Sequence, residues 1–403
     1  MQAVVLAAGE GTRMRPLTFT RPKVMLPIAN MPILEHLFLS LKDAGIDKVV
    51  LVVGYRDETI RGHFGNEWND IKIDYANQRK QLGTADALKA ASHLLDEEFL
   101  MMNGDAIVGS EDIKRIAGRD GFALAVKEVP NPEEFGVVEC EDGLVKCIVE
   151  KPEKPKSNLI NAGIYRFSRE ILEFVNRTPL SVREEYEITT SIKMAIESGI
   201  EFEAVEIDEW IDIGFPWDLL RANSFFLSRI EGRVDGKVEE GAHLNGEVVV
   251  GEGSVIKSGS YIEGPAVIGK NCKIGPNCYI RPSTSIGDGC HIGAAVEVKN
   301  SIIMNGTKIP HLIYLGDSII GEKCNFGAGT KIANLRLDDK NIMVNVKNKM
   351  IDTRLRKFGA VVGDNVRTGI NVTINVGTMI GDNVLIAPGA KVDGYVERNS
   401  KVF

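Results

Sequence analysis

The sequence has six cysteines but no CxxC pair, so neither a zinc knuckle nor a thioredoxin-type redox site is indicated. A basic surplus is missing too: 48 Lys and Arg stand against 56 Asp and Glu, a net charge of −8. Nucleic-acid binders need the opposite balance, so no nucleic-acid partner is expected. Any anionic ligand must be held by a local cluster of positive charge. No apolar run reaches the roughly 18–20 residues that span a bilayer, and no membrane partner is expected. The opening stretch MQAVVLAAGEGTRMRP has no basic region followed by an apolar segment and cleavage site, which makes a cytoplasmic protein the expectation. Two nucleotide motifs fail as well. Met14 occupies the third glycine position of a would-be GxGxxG, and no GKS or GKT completes a Walker A loop.

What is present is an ordinary globular balance, 44% hydrophobic and 26% charged, over 403 residues, long enough for two or three domains. Residues 1–229 alternate strands and helices. Strand-like runs are Ala3–Ala8, Val49–Val53 and Phe99–Met102. Asn30 and Pro32 signal a helix start, after which Ile33, Leu34, Leu37, Phe38 and Leu41 share one face before Gly45. Thr84 is expected to cap a second helix over Ala85–Leu95. This alternation predicts a Rossmann-like α/β domain with a parallel sheet covered on both faces. Ligands of such sheets bind beyond the carboxyl ends of the strands.

Residues 230–403 follow a different rule. Val250, Ile256, Ile262, Ile268, Ile274, Ile280, Ile286, Ile292 and Val298 stand six apart, and so do Val362, Thr368, Ile374, Ile380, Ile386 and Val392. Two residues before most of them sits a small or β-branched residue, as at Ser254, Ala266, Cys272, Cys278, Thr284 and Cys290. Neither a helix nor a hairpin sheet has that period. A triangular solenoid does, so a left-handed parallel β-helix of hexapeptide repeats is expected, with the aliphatics inside. Cys272, Cys278, Cys290 and Cys324 fall in the small-residue slot, where packing explains them. Residues 230–243 read as a linker or solenoid cap, and 299–359 as an irregular interval between two regular series.

The loop LAAGEGTRMRP follows the first strand. Its glycines let backbone N–H groups approach phosphate oxygens, and Arg13 and Arg15 supply charge. Alone, such a GxG reads more readily as a tight turn. Lys23 follows in RPKVMLP, Asp105 ends a strand in NGD, and Asp212 lies in WIDIG. Two strand-end carboxylates can hold Mg²⁺, or can simply cap loops.

Taken together, LAAGEGTRMRP with Pro22–Lys23, QRKQLGTA (78–85), NGD (103–105), EKP (150–152), NAGIY (161–165) and WIDIG (210–214) closely resemble the sugar-1-phosphate nucleotidyltransferase family. The resemblance implies in-line attack of a sugar-1-phosphate on the α-phosphorus of a nucleoside triphosphate, with release of pyrophosphate. By the family pattern, Ala8, Gly9, Gly11, Thr12 and Arg13 grip the triphosphate, and Lys23 stabilises charge at the α-phosphoryl. Asp105 and Asp212 bind Mg²⁺. Gly136, Glu150 and Asn161 form the sugar pocket, and Gln78, Gly83 and Thr84 lie at the nucleotide. A glutamine amide matches the donor–acceptor edge of uracil or thymine, which favours UTP or dTTP.

Within 299–359, His311 and Tyr314 stand out in HLIYLGD, followed by NFGAGT at 325–330. A lone solenoid histidine is usually only a loop residue. With Arg281, Lys299, Asn334 and Lys340, however, this stretch resembles the acetyltransferase domain of the N-acetylglucosamine-1-phosphate uridylyltransferase/glucosamine-1-phosphate acetyltransferase family, and the whole chain resembles its archaeal-type members. The implied roles are general base for His311, and sugar-phosphate contacts for Arg281, Lys299, Tyr314 and Lys340. Asn325 and Asn334 orient substrate, and Ala328 and Ala387 meet acetyl-CoA. A homotrimer is implied as well. The segment 341–358 departs from the bacterial pattern and reads as a solvated loop, the alternative being CoA-phosphate contacts by Arg354, Arg356 and Lys357. Three readings compete: a bifunctional enzyme for an amino-sugar-1-phosphate, a single-activity hexose-1-phosphate nucleotidylyltransferase with a scaffolding solenoid, and a non-catalytic subunit. The third should have lost Lys23, Asp105 or the glycine loop, and this sequence keeps all three.

Overall fold

Valine-rich strands from the start of the chain sit seventh and eighth in the order of a ten-stranded sheet in the computed structural model, which describes all 403 residues, Met1–Phe403. The chain forms two compact units. One comprises Met1–Glu10, Pro22–Met25 and Ile33–Asp212; the other comprises Gly11–Arg21, Leu26–Pro32 and Ile213–Phe403.

In the first unit, Gln2–Leu6 lies between Lys48–Val53 and Glu98–Asn103, parallel to both. Alternate residues enter different cores. Ala3, Val5, Val49 and Leu51 pack with Leu34, Leu37, Phe38 and Leu41, while Val4, Val50 and Val52 pack with Leu88 and Ala91. Helices therefore cover both faces, which is why these strands read as unbroken apolar runs. The sheet expected to be parallel is mixed. Leu159–Ser168 runs antiparallel to Glu98–Asn103, and Gly136–Glu141 pairs with Leu144–Glu150 as a hairpin. Its turn, Asp142–Gly143, has positive φ at both residues (52° and 79°), the conformation that matches hairpin twist. Thr84 also departs from expectation. It is the first residue of a shorter helix, Thr84–Ala91, and its hydroxyl accepts the Ile188 N–H at 2.9 Å instead of capping its own helix.

In the second unit, parallel strands stack into three faces of nine, eight, and five plus three strands, making a parallel β-helix. Residues 230–243 form its first coil, through Arg233–Val234, Lys237–Val238 and His243–Asn245. The interval 299–359 is more regular than its sequence suggests. Ile303, Ile309, Leu315, Ile320, Phe326 and Ile332 continue the buried core, and the sides ending at Ile303 and Ile320 are one residue short. The expected solvated loop is a β-hairpin, Met343–Val346 with Lys349–Asp352, seated on buried Ile342, Val344 and Phe358.

Coil corners fall repeatedly on Asn271, Asn277, Asn365, Asn371, Asn383 and Asn399, all with φ between 54° and 60° except Asn277 at 50°. Asparagine tolerates that left-handed backbone better than other side chains with a Cβ. The single polar residue of the inward series, Thr368, is satisfied by the Gly327 N–H (2.9 Å) and the Thr330 hydroxyl (3.0 Å). Buried Cys272, Cys290 and Cys324 point their thiols at carbonyls of the next coil, and burial pushes the Cys324 thiol up to about 12. Packing, not reactivity, accounts for them.

One face of this solenoid is not exposed. The register Ser285–Ile302–Ile319–Val361–Met379 points outward, yet all five residues are buried. Helix Asp218–Leu227 contributes to the cover. Asn223 donates to Ser283 O (3.0 Å) and accepts from the Ser285 hydroxyl (2.9 Å) and the Ala29 N–H (2.8 Å). No helix of the chain is long and apolar enough to cross a membrane.

Truncating a fully buried solenoid residue, Ile292→Ala, should destabilise by about 2–5 kcal/mol. Ile370→Ala, at a residue 55% exposed, should change little. Thermal unfolding of the two variants beside the parent measures the contrast; equal shifts would contradict the assignment of the core.

Candidate functional site

The NGD turn forms because Gly104 has no side chain. Its N–H donates to Leu6 O at 2.9 Å, and a Cβ there would sit 2.9 Å from the same carbonyl. This close approach delivers Asp105 beside the first strand. Lys23, in the one-turn helix Lys23–Met25, is buried, and its Nζ donates to Asp105 Oδ2 at 2.6 Å. Trp210–Asp212 pairs antiparallel with Ala106–Val108, so Asp212 lies opposite Ala106, one residue from Asp105. The Trp210 indole donates to Ala162 O (3.0 Å), tying WIDIG to NAGIY. Gly163 of that motif has φ 75°, and a Cβ there would meet the Asn103 amide at 2.5 Å. Motifs far apart in sequence are thus in direct contact. No group of three or more His, Cys, Asp or Glu gathers here or elsewhere as a metal cage. A two-carboxylate set fits Mg²⁺, which keeps its waters and takes its remaining oxygens from phosphates.

Gln78 is buried, with its amide nitrogen donating to Gly83 O (3.0 Å) and Asp86 Oδ2 (2.8 Å). Both amide hydrogens are therefore committed. Of the two-sided readout expected for this side chain, the oxygen acceptor is the half left over. Ala8 O accepts the Tyr55 N–H at 3.2 Å, and neighbouring Gly54 packs 3.0 Å from both Ala8 O and Gln78 O, measured from where a Cβ would be.

The three sugar-pocket residues converge. A Cβ on Gly136 would lie 3.1 Å from Glu150 Oε2 and 3.6 Å from Asn161 Cβ. Burial raises the Glu150 carboxyl above its ordinary range, opposed by nearby Arg183 and Lys151. Asn161 donates to the Tyr165 hydroxyl (2.7 Å) and accepts the Gly163 N–H (2.9 Å). Tyr165 lies four residues on, at the end of NAGIY, and sequence reasoning gave it no role.

In the second unit, Gly11 (φ 64°) starts the short helix Thr12–Met14, and its carbonyl accepts the Thr18 hydroxyl at 2.9 Å. The Arg13 guanidinium lies 5.3 Å from the Phe215 ring centroid, and Phe215 stacks on Trp217 at 4.7 Å with an 8° interplanar angle. This aromatic platform was not singled out in the sequence, although FPW directly follows WIDIG.

Solenoid residues fall on two corners of one face. Along the first corner, His311 O accepts the Gly329 N–H (3.2 Å), Ala328 O accepts the Asn371 N–H (2.8 Å) and Ile370 O accepts the Gly389 N–H (2.9 Å). His311 and Ala328 thus stand at one column on neighbouring coils, and Ala387 lies two coils beyond Ala328, one residue before the position that continues the column. Along the second corner, buried Asp317 collects Lys299 Nζ (3.4 Å), the Asn300 amide (2.8 Å) and the Asn334 amide. Asn334 also donates to the Tyr314 hydroxyl (3.1 Å), whose pKa burial raises. Arg281, one coil below Lys299, donates to Glu297 Oε1 (3.0 Å). Asp317 was missed, although it closes the HLIYLGD motif. Asn325 pairs with Lys308 and Arg367 on the neighbouring face, and Lys340 lies in an exposed turn with its N–H on Asp338 (3.4 Å), outside the Asp317 cluster.

Residues 2–229 match the nucleotidyl transferase family, and residues 262–396 match the GMPPB C-terminal domain. The chain is 45% identical to the bifunctional protein GlmU of Methanocaldococcus jannaschii over 409 residues, covering 100% of this chain and 97% of that protein. It is 42% identical to the bifunctional sugar-1-phosphate nucleotidylyltransferase/acetyltransferase of Sulfurisphaera tokodaii, covering 98% and 99%. Among solved structures, a UDP-glucose pyrophosphorylase complexed with UDP-glucose superposes with a TM-score of 0.53 at 23% identity, over 57% of this chain and 99% of its own, a likeness of fold.

Two glycines of the site should respond oppositely to alanine. At Gly83, φ is 107° and a Cβ would lie 2.5 Å from Tyr186 O; at Gly9 nothing lies within 4 Å. Gly83→Ala should lower the melting temperature and Gly9→Ala should leave it unchanged, because only the first forces backbone to move. Equal melting shifts in the two variants would count against this geometry.

Proposed function

Because the chain belongs to the nucleotidyl transferase family, we propose that it is a bifunctional enzyme. It acetylates glucosamine-1-phosphate from acetyl-CoA, then couples the N-acetylglucosamine-1-phosphate to UTP, giving UDP-N-acetylglucosamine and pyrophosphate. The reading includes a cytoplasmic homotrimer. One observation carries the second activity: Lys299 and Asn334 converge on Asp317, with Tyr314 bonded to Asn334 and exposed His311 three residues before it. A solenoid used only as a scaffold has no need of that cluster.

For uridylyl transfer, the sugar phosphate oxygen attacks the α-phosphorus as the α–β bridging P–O bond breaks. Ala8, Gly9, Gly11, Thr12 and Arg13 hold the triphosphate, and Lys23 supplies positive charge where the α-phosphoryl gains negative charge. Asp105, besides holding the Lys23 ammonium at 2.6 Å, joins Asp212 as the Mg²⁺ ligand pair. The bound ion would neutralise triphosphate charge. Gln78 Oε1 accepts the pyrimidine N3–H, with Gly83 and Thr84 beside the nucleotide. Gly136 leaves room for the sugar against Glu150 and Asn161.

For acetyl transfer, the sugar amine attacks the thioester carbonyl, the C–S bond breaks, and His311 takes the proton the nitrogen loses. Arg281, Lys299 and Tyr314 bind the sugar phosphate, Asn325 and Asn334 orient the sugar, and acetyl-CoA runs along the Ala328–Ala387 corner.

Lys23→Ala should lower pyrophosphate formation by about 10²–10³-fold and leave thiol release from acetyl-CoA intact. His311→Ala should do the reverse, losing about 10²–10⁴-fold in thiol release. A wild-type protein that releases no thiol with glucosamine-1-phosphate would sink the bifunctional reading.

Glu150→Gln should weaken sugar binding yet raise the melting temperature at pH 7. The raised carboxyl pKa means the folded state pays to keep that charge above the folded-state pKa. The penalty disappears below the unfolded value, near 4.3. The stability gain should therefore vanish below about pH 4, and a gain that persists there would assign the effect to packing.

A further inference from the structure

Lys331 directly follows NFGAGT and opens the two-residue strand Lys331–Ile332. Ile332 is buried in the solenoid core, so by strand alternation Lys331 faces outward. Its register partner on the coil before is Tyr314, itself opposite Glu297, and on the coil after it is Thr373. The side chain leaves that register. Its Nζ reaches back one coil and donates to Leu312 O, the carbonyl next to His311. Leu312 turns the corner in the left-handed region (φ 55°), and its own N–H is held by Ala294 O at 3.0 Å. The ammonium is thereby fixed one peptide from His311, on the stretch that leads to Tyr314.

The other cations of this face are neutralised. Arg281 pairs with Glu297 (3.0 Å) and Lys299 with Asp317 (3.4 Å). Lys331 has a carbonyl for its acceptor, which takes one of three N–H donors and leaves the charge uncompensated. Lys308, three residues before His311, stands on the neighbouring face in register with His291. At a residue 59% exposed, water can serve the Leu312 carbonyl, so the fold alone does not require a lysine there.

We propose that Lys331 is a catalytic residue of acetyl transfer, its ammonium stabilising the oxyanion that forms when the sugar amine attacks the thioester. This rests on the proposed function, in which His311 takes the amine proton. As the C–N bond forms, the carbonyl π pair moves onto oxygen, and a Lys331 N–H donates to the negative charge that develops there. When that pair returns, the C–S bond breaks and the coenzyme leaves as a thiolate, which collects the proton from His311. Base and oxyanion donor must flank one carbon, and the corner at Leu312 holds an imidazole and an ammonium one peptide apart.

The test measures thiol release from acetyl-CoA with glucosamine-1-phosphate, pyrophosphate formation and melting temperature, all on the full chain. Lys331→Met should lower kcat for thiol release on the order of 10²-fold and leave both KM values unchanged, the pattern of a contact made only in the transition state. Lys331→Gln keeps a donor for Leu312 O without the charge; it should fall as far, and it carries the comparison should the first variant fail to fold. Lys331→Arg should retain more activity than either. Pyrophosphate formation and melting temperature should not move. Wild-type kcat in Lys331→Gln overturns the proposal, because a lysine that only caps the corner is replaced by any donor. A raised KM for glucosamine-1-phosphate at unchanged kcat overturns it too, making Lys331 a sugar-phosphate ligand, as does a parallel fall of both activities with melting temperature. A wild type that releases no thiol defeats the functional reading itself, and this role with it; thiol release lost in His311→Ala but kept in the Lys331 variants defeats this role alone.

Discussion

A coil of the β-helix satisfies its backbone only through the coils stacked on it. Lys273 N–H bonds to Cys290 O, Tyr279 N–H to Val296 O and Ser285 N–H to Ser301 O, one bond on each of the three faces. An isolated coil would leave those groups unpaired, so coil geometry is fixed by repetition. The inward positions then have no choice but to form a continuous column from Val248 to Val392, apolar but for Thr368. What varies is outside the column: the covered face, the corners and the interruptions.

The interruptions share one location. The sides ending at Ile303 and Ile320 lose their residue, and the hairpin between Asn334 and Gly359 is inserted, at the corner that also carries Lys299, Asn300, Asp317 and Asn334. After the insertion Phe358 N–H bonds back to Asn334 O at 3.0 Å, and the ladder resumes with Ile320 opposite Val362. Regular sides hold the fold, and the one irregular corner gathers the polar side chains. The first unit divides its labour similarly. Its central strands are apolar in their interiors, while Asp105, Glu150 and Asp212 stand at or just past strand ends, beside glycines such as Gly104 and Gly83 whose close contacts admit no Cβ.

Much of this could be read in the sequence because it is periodic. Six-residue spacing exposed the solenoid, and alternating helices and strands exposed the first domain. The failures have physical causes. The coils through Ile303 to Ile332 were hidden by two five-residue sides, since dropping one residue shifts the phase without disturbing the stacking. Antiparallel strands escaped notice although Asp142–Gly143 is a hairpin turn in plain letters. Site residues were legible where a motif carried them. Asp317, Tyr165 and Phe215 were not, because each acts on another side chain of the site, and such contacts have no signature along the chain. Gln78 shows the converse: its type was readable, but not that Gly83 and Asp86 had taken its hydrogens.

The covered face of the solenoid also constrains the order in which the chain can mature. Thr20 meets its partner Asp364 across 344 residues of sequence. At about 5–20 residues per second, the glycine-loop segment emerges from the ribosome on the order of tens of seconds before the surface that receives it. During that interval its aromatic and cationic side chains have no seat. The solenoid unit therefore cannot be completed from its later residues alone: one of the first stretches to be synthesised is among the last to settle.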